Sequence, residues 1–194
     1  MLRRRLSTLA RMSLKVAHDC AHDLPSARFV YASRHGDLNR TTAMLDDLAA
    51  GESLSPTAFT MSVLNASPGL FSILRHDMAP TTAVSAAADS FVYGLLEACL
   101  QLTENPESPV VLVYADEPVP NVYEHIEPQD SNAHAIGLLL KCGAPITIGC
   151  ASIPGDQVVS REPQSRAFLR CLEGAITSAW SSGDKSWIWT RQAH

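Results

Sequence analysis

The sequence predicts an α/β fold in which a mixed sheet is flanked by helices. Three observations carry that expectation. Pro109 to Ala115 reads PVVLVYA, a short apolar run of strand-forming residues suited to a central strand covered on both faces. Ala27 to Ala32, ARFVYA, is a second short buried strand. Around both lie segments of helical spacing, so strands and helices alternate along the chain.

Taken in order, Ser7 to His22 sets Leu9, Met12, Leu14, Val16 and Ala17 near helical spacing, with basic residues between them. After ARFVYA, Asn39 is the expected cap of a helix running through Leu48, with Gly51 as its stop. A helix follows Pro56, from about Phe59 to Arg75, which Pro68 and Gly69 should kink or break. Thr81 to Ala87 is small and β-compatible, and it runs into a long helix from about Asp89 to Leu102. Beyond PVVLVYA, the segment Pro118 to Ser131 holds three prolines and several acids and reads as a loop. Ala135 to Lys141 and Ile146 to Ala151 are further strands, separated by the turn residues Gly143 to Pro145. Ser160 is expected to cap a helix over Gln164 to Trp180, and Trp187 and Trp189 alternate in a short terminal strand. With no internal repeat and no shift in composition, residues 1–194 read as a single domain.

Composition narrows the class. Apolar residues make up 46% and charged residues 18%, ordinary for a globular chain that buries about 70% of its unfolded surface at this size. A net charge of −5 offers no broad basic face for phosphates, which argues against nucleic acid as the main partner. The basic cluster Arg3, Arg4 and Arg5 is followed by Ser7, Thr8, Arg11, Ser13 and Lys15, which interrupt any apolar signal core. No window reaches the length of a membrane span, so a cytoplasmic protein is expected. Cys20, Cys99, Cys142, Cys150 and Cys171 are odd in number and scattered, fitting buried free thiols rather than disulfides or a zinc site.

Few residue patterns suggest chemistry. His125, Glu127, Asp130 and His134 are metal-ligand types, but their spacing matches no zinc signature and Pro128 interrupts them, so a solvated acidic loop is expected. His35 reads as a surface loop residue. Asp116 and Glu117 end the best strand, where α/β folds often place functional groups. They could serve as acid and base, yet neighbours on a strand face opposite ways and Pro118 follows at once, which favours a polar turn. No glycine-rich phosphate loop is present, and no cofactor or metal is implied. Ser85 and Ser90 flank a strand-to-helix junction and are candidate nucleophiles, but no Gly-x-Ser-x-Gly elbow surrounds either, so capping or packing is the alternative. Asp89 reads as a capping carboxylate.

The run from Ser55 to Ala98 carries a resemblance. Ser55, Pro56, Asn65, Gly69 and Pro80 fall on an ordered pattern that resembles the β-ketoacyl synthases, followed by Ser85-Ala86-Ala87-Ala88 where that family has Ser-Thr-Ala-Cys. RRRLSTLARMSLKVA, FVYAS, HGDLNRTTAMLDDLAAGESLSPTAF and VVLVYADEPVP extend the likeness over about Arg3 to Pro120. The chain is similar to the N-terminal half of a thiolase-fold ketosynthase, in the branch of short proteins tied to aryl polyene and related polyketide pathways. The family's first strand has no counterpart here, so either it is lost or the natural start lies upstream of Met1.

Two departures shape what the resemblance implies. Ala88 stands at the nucleophilic cysteine's position, and nothing resembles the histidine-bearing second half. Alanine has no lone pair to attack a thioester, so independent condensation is not expected and no catalytic residue is assigned. The retained segments, Thr57 to Leu70 and Thr81 to Ala87, pack in the family across a dimer interface that closes the partner's acyl tunnel. The resemblance therefore implies a non-catalytic, chain-length-factor-like partner of a catalytic ketosynthase, in a heterodimer or larger assembly, with acyl carrier protein met indirectly. Thr57, Ala58, Phe59, Ser62, Asn65, Thr81 and Ser85 are the candidate interface and tunnel residues, Phe59 the candidate steric stop. The alternatives are a small serine hydrolase using Ser85 or Ser90, and a homodimeric structural protein with no acyl-chain role.

Overall fold

The computed structural model describes residues 6–125, 132–143, 146–154, 160, 162–174, 176–182 and 185–193, with only the backbone at 146–148, 150 and 193. The chain forms two compact units, Met1–Leu140 and Lys141–His194.

The first unit is built on a four-stranded mixed sheet in the order β2-β1-β3-β4. β1 (Arg28–Ala32) and β3 (Val110–Asp116) pair in parallel at its centre and are buried along their whole length. That is why both read as continuous rather than alternating apolar runs. β2 (Thr81–Val84) is a parallel edge, and β4 (His134–Leu140) is an antiparallel one.

On one face lies α1 (Thr8–Ala21), capped where Ser7 Oγ accepts the Ala10 amide at 3.1 Å. Its buried positions Leu9, Ser13, Ala17 and Ala21 recur every four residues and meet Phe29, Tyr31, Val111 and Val113. Phe71, from α4 (Ala66–Arg75), stacks on Phe29 with centroids 4.6 Å apart. α5 (Ser90–Glu104) covers the opposite face. Gly94 permits its close approach, since a Cβ there would come within 2.6 Å of the Ala32 Cβ.

Two arginines, Arg28 buried and Arg75 half-buried, finish helices. Arg75 donates to the carbonyls of Ala21 and Leu24 at 3.0 and 2.6 Å, closing the end of α1. Arg28 donates to the carbonyls of Gln101, Asn105 and Ser108 at the end of α5. In each case a guanidinium bonds carbonyls at or just past a helix C-terminus, where donors within the helix run out. Asp77 joins α4 to the start of β1, accepting from Ser26 Oγ at 2.8 Å and from the Ala27 amide at 3.1 Å.

Several sequence expectations are corrected. α2 (Leu38–Ala49) is capped by Asp37 and not Asn39: Asp37 accepts from the Arg40 amide and pairs with its guanidinium at 2.9 Å. Asn39 lies inside the helix, its side chain donating to the Pro118 carbonyl. The helix expected from Phe59 to Arg75 is two helices, α3 (Pro56–Thr60) and α4, and the break comes before Pro68. Proline cannot donate to the fourth residue back and its ring crowds that carbonyl, so the helix restarts to place Pro68 in a first turn, where amides lack partners anyway. The cysteines are not uniformly buried: Cys171 is, Cys20 is half-buried, and Cys99 and Cys142 are exposed.

The second unit is a three-stranded antiparallel sheet, β5 (Ile146–Pro154), β7 (Lys185–Ala193) and β6 (Thr177–Ser181), with α6 (Gln164–Glu173) against β6 and β7. The helix expected to reach Trp180 stops at Gly174, whose φ of +153° suits no other residue well. From Thr177 burial alternates, with Ser178 and Trp180 in and Thr177 and Ala179 out, a strand period that the helix reading missed. Ser160 caps no helix; it exchanges hydrogen bonds with Ser181 at 2.9 Å. Trp189 packs edge-on to Phe168 with centroids 6.0 Å apart.

Candidate functional site

The ends of β1, β2 and β3 meet on one side of the first unit, the side where α/β folds commonly place their sites. β2 stops at Val84, short of the expected Ala87, and residues 87–89 form a 3₁₀ turn into α5. Ala87 has a φ of +48°, a left-handed conformation rare for a residue with a Cβ. Ser90 holds this turn. Its fully buried hydroxyl accepts the Ala86 amide at 2.8 Å and donates to the Ala87 carbonyl at 2.7 Å. Ser85 donates to the Arg34 carbonyl at 2.9 Å. Both candidate nucleophiles thus bond to backbone. Asp89 occupies the N-cap position of α5 but makes no side-chain capping bond, so the capping role read from sequence does not hold. Ala88 lies half-buried in the turn.

Asp116 ties these strand ends together. One carboxylate oxygen accepts from Ser33 Oγ at 3.0 Å and from the Arg34 amide at 2.8 Å, and the other accepts the Tyr114 hydroxyl. Burial, reinforced by the Asp116 charge, pushes the Tyr114 phenol well above its ordinary range, so it stays a hydrogen-bond donor. The same loop is anchored to β2 through the Ser33 amide on the Val84 carbonyl. Glu117 is half-buried and raised above the usual carboxylate range, chiefly by desolvation, with Asp37 and Asp116 adding to it and Asn39 opposing. The two acids are therefore unlike: Asp116 is a buried acceptor for three donors, and Glu117 is a desolvated neighbour.

Two histidines, His35 and His134, lie near Asp116. His35 is exposed, its ring 3.0 Å from Arg34 Nε, and desolvation and that guanidinium lower its pKa. His134 faces Asp116 across the β3–β4 ladder and lies against Tyr114, with ring centroids 5.7 Å apart. Of the proposed acidic loop, Glu127 and Asp130 lie outside the described residues, as do Arg3, Arg4 and Arg5. Among the described residues no group of three or more His, Cys, Asp or Glu is arranged to hold a metal.

The candidate interface residues fall into two groups. Thr57, Ala58 and Phe59 are on α3, and Ser62 and Asn65 are in the turn that follows. Phe59 is 61% exposed, and Ser62 is tied locally through its hydroxyl to the Phe59 carbonyl at 2.8 Å. Thr81 and Ser85 are exposed at the two ends of β2, whose outer edge pairs with no strand among the described residues. At the base of the α3 turn is a small crevice walled by Leu9, Tyr31, Asp37, Met61, Leu64 and Ser67. Exposed apolar side chains that the sequence reading passed over extend the first group: Leu45 and Leu48 on α2, and Val63. In sequence the two leucines are simply apolar positions continuing around α2; the structure adds that Met44 alone is buried there.

A mixed, helix-flanked sheet with a strained turn at the end of an edge strand is the thiolase-like arrangement expected of a ketosynthase half. The profile of the β-ketoacyl synthase N-terminal domain matches residues 1–190, and the chain belongs to that family. A chain of the ketosynthase ApeO in complex with its chain length factor ApeC, from Xenorhabdus doucetiae, is 32% identical, with a TM-score of 0.89 over 98% of this chain and 80% of that one. The ishigamide ketosynthase/chain length factor gives a TM-score of 0.63 at 13% identity, covering 87% of this chain and 55% of that one. A β-ketoacyl synthase from Burkholderia phymatum STM815 gives 0.59 at 14% identity, over 79% and 50%. The last two share the fold. No curated protein matches the chain in sequence. Among the described residues no helix is long and apolar enough to cross a membrane.

Proposed function

We propose that the chain is a non-catalytic, chain-length-factor-like subunit that pairs with a catalytic ketosynthase in the cytoplasm. It would support elongation of carrier-protein-bound acyl chains of the polyene or polyketide type. The observation that carries the reading is the 32% identity, over 98% of the chain, to a component of a ketosynthase–chain length factor complex. Alanine at position 88 agrees with it, because that side chain offers no nucleophile for an acyl thioester. So does the group of exposed Thr57, Phe59 and Asn65 with half-buried Ala58 and Ser62, together with the edge of β2 bearing Thr81 and Ser85, which pairs with no strand among the described residues. An unpaired strand edge beside exposed apolar side chains favours association.

Co-expression with a full-length ketosynthase from the same genome, an adjacent gene first, tests the reading. Co-elution of the two is expected, and failure to associate defeats it. Within such a complex, Phe59→Ala is expected to lengthen the acyl products, read by mass spectrometry. An unchanged product distribution removes Phe59 from chain-length control.

A further inference from the structure

Residues 43–63 form an arm: the outer half of α2, the turn after it, and α3, which packs against α2. Leu45, Leu48, Phe59 and Val63 are between 46% and 61% exposed along it. With 3.6 residues per turn, Leu45, Leu48 and Ala49 share one sector of α2; Asp46 lies beside that sector, and Asp47 lies on the far side of the buried Met44. Glu52 follows in the turn. From Thr41 to Leu74 the sequence contains no lysine, arginine or histidine. Among the described residues no ion pair reaches Asp46, Asp47 or Glu52. The last turn of α2 holds no basic residue, so two carboxylates sit at the negative end of the helix dipole. An exposed apolar face beside acids at the unfavourable end of a helix is a local conflict of the kind found where a partner completes the structure.

We infer that this arm docks into a partner's apolar groove rimmed by lysine and arginine, and that Asp46, Asp47 and Glu52 steer it there. The arm is continuous with the Thr57–Asn65 group, so the inference rests on the proposed function and names the surface the ketosynthase must offer. Its cations would neutralise the exposed acids, and its groove would cover Leu45, Leu48 and Phe59.

The test measures association of the full chain with that ketosynthase at low and high salt. The native chain is compared with Asp46→Lys/Asp47→Lys/Glu52→Lys and with Leu45→Ala/Leu48→Ala. The triple lysine variant is expected to bind about tenfold more slowly at low salt and to lose the acceleration that low salt gives the native chain. Its melting temperature should hold or rise, since lysine suits a helix C-terminus, which separates steering from misfolding. The alanine pair is expected to dissociate faster with its salt dependence unchanged. If the lysine variant binds with native rate and salt dependence, the inference falls and the proposed function stands. If the native chain does not bind at all, the proposed function falls and takes the inference with it. If the chain alone forms a dimer that the lysine variant dissolves, the arm's occupant is a second copy and the inference is overturned.

Discussion

The turn at Ser85–Ser90 and the arm at 43–63 are both surface segments next to helices, yet they treat their functional groups in opposite ways. In the turn, both hydroxyls bond to backbone and a left-handed alanine is held by the Ser90 bridge. In the arm, leucines and a phenylalanine face outward near acids that form no ion pair among the described residues. The turn is closed on itself, and the arm is open. The difference teaches that this chain's unused binding capacity lies in its arm.

The strongest way to break the comparison is at the open end. Phe59→Asp puts a charge where an anchor would be buried. Truncating a central interface aromatic commonly costs about 2–4 kcal/mol of binding, and a buried unpaired charge adds to that. Loss of co-elution with the ketosynthase is therefore expected, while folding changes by less than about 0.5 kcal/mol because the side chain is 61% exposed in the free chain. A variant that unfolds would show that Phe59 belongs to the chain's own core and that the arm is not open.

At the closed end the expected effect is smaller and falls on folding. Ser90→Ala removes the partner of the Ala86 amide and one of two donors to the Ala87 carbonyl, which keeps the Ser90 amide. Leaving that amide unsatisfied costs about 1–3 kcal/mol, read from urea denaturation. The serine-hydrolase reading predicts the reverse, namely unchanged stability with loss of a measurable esterase activity. That outcome would reopen the turn as a site.

Much of the fold was legible because its strongest elements are continuous or periodic. PVVLVYA announced the central strand, and Leu9 to Ala21 announced the first helix. Phe59 and its neighbours were singled out only through the family pattern, since nothing in their residue types marks an interface. What stayed hidden depends on distant partners. Arg28 and Arg75 look like surface cations in sequence, but each closes a helix that begins or ends far along the chain. Asp116 looked like half of a carboxylate pair, and its role as acceptor for Ser33, Arg34 and Tyr114 needed the parallel pairing of β1 and β3. Leu45 and Leu48 read as ordinary helix-face residues, and only burial shows that the buried face stops at Met44. The Gln164 to Trp180 misreading came from the apolar content of both halves, where the decisive signal was Gly174 followed by a two-residue period.

The finest test applies one chemical change to both regions and looks at its sign. Ala43 is exposed in the middle of α2, where glycine loses helix propensity, so Ala43→Gly is expected to destabilise by about 1 kcal/mol. Ala87 has a φ of +48°, where a Cβ crowds the backbone by about 1–2 kcal/mol. Ala87→Gly relieves that strain and returns part of the gain through the freer unfolded chain, leaving a net stabilisation below about 1 kcal/mol. Opposite signs from the same substitution, measured by urea denaturation under one set of conditions, would show that the turn stores strain and the arm does not. If Ala87→Gly destabilises as Ala43→Gly does, the left-handed turn is not strained, and Ser90 holds a conformation the backbone would adopt unaided.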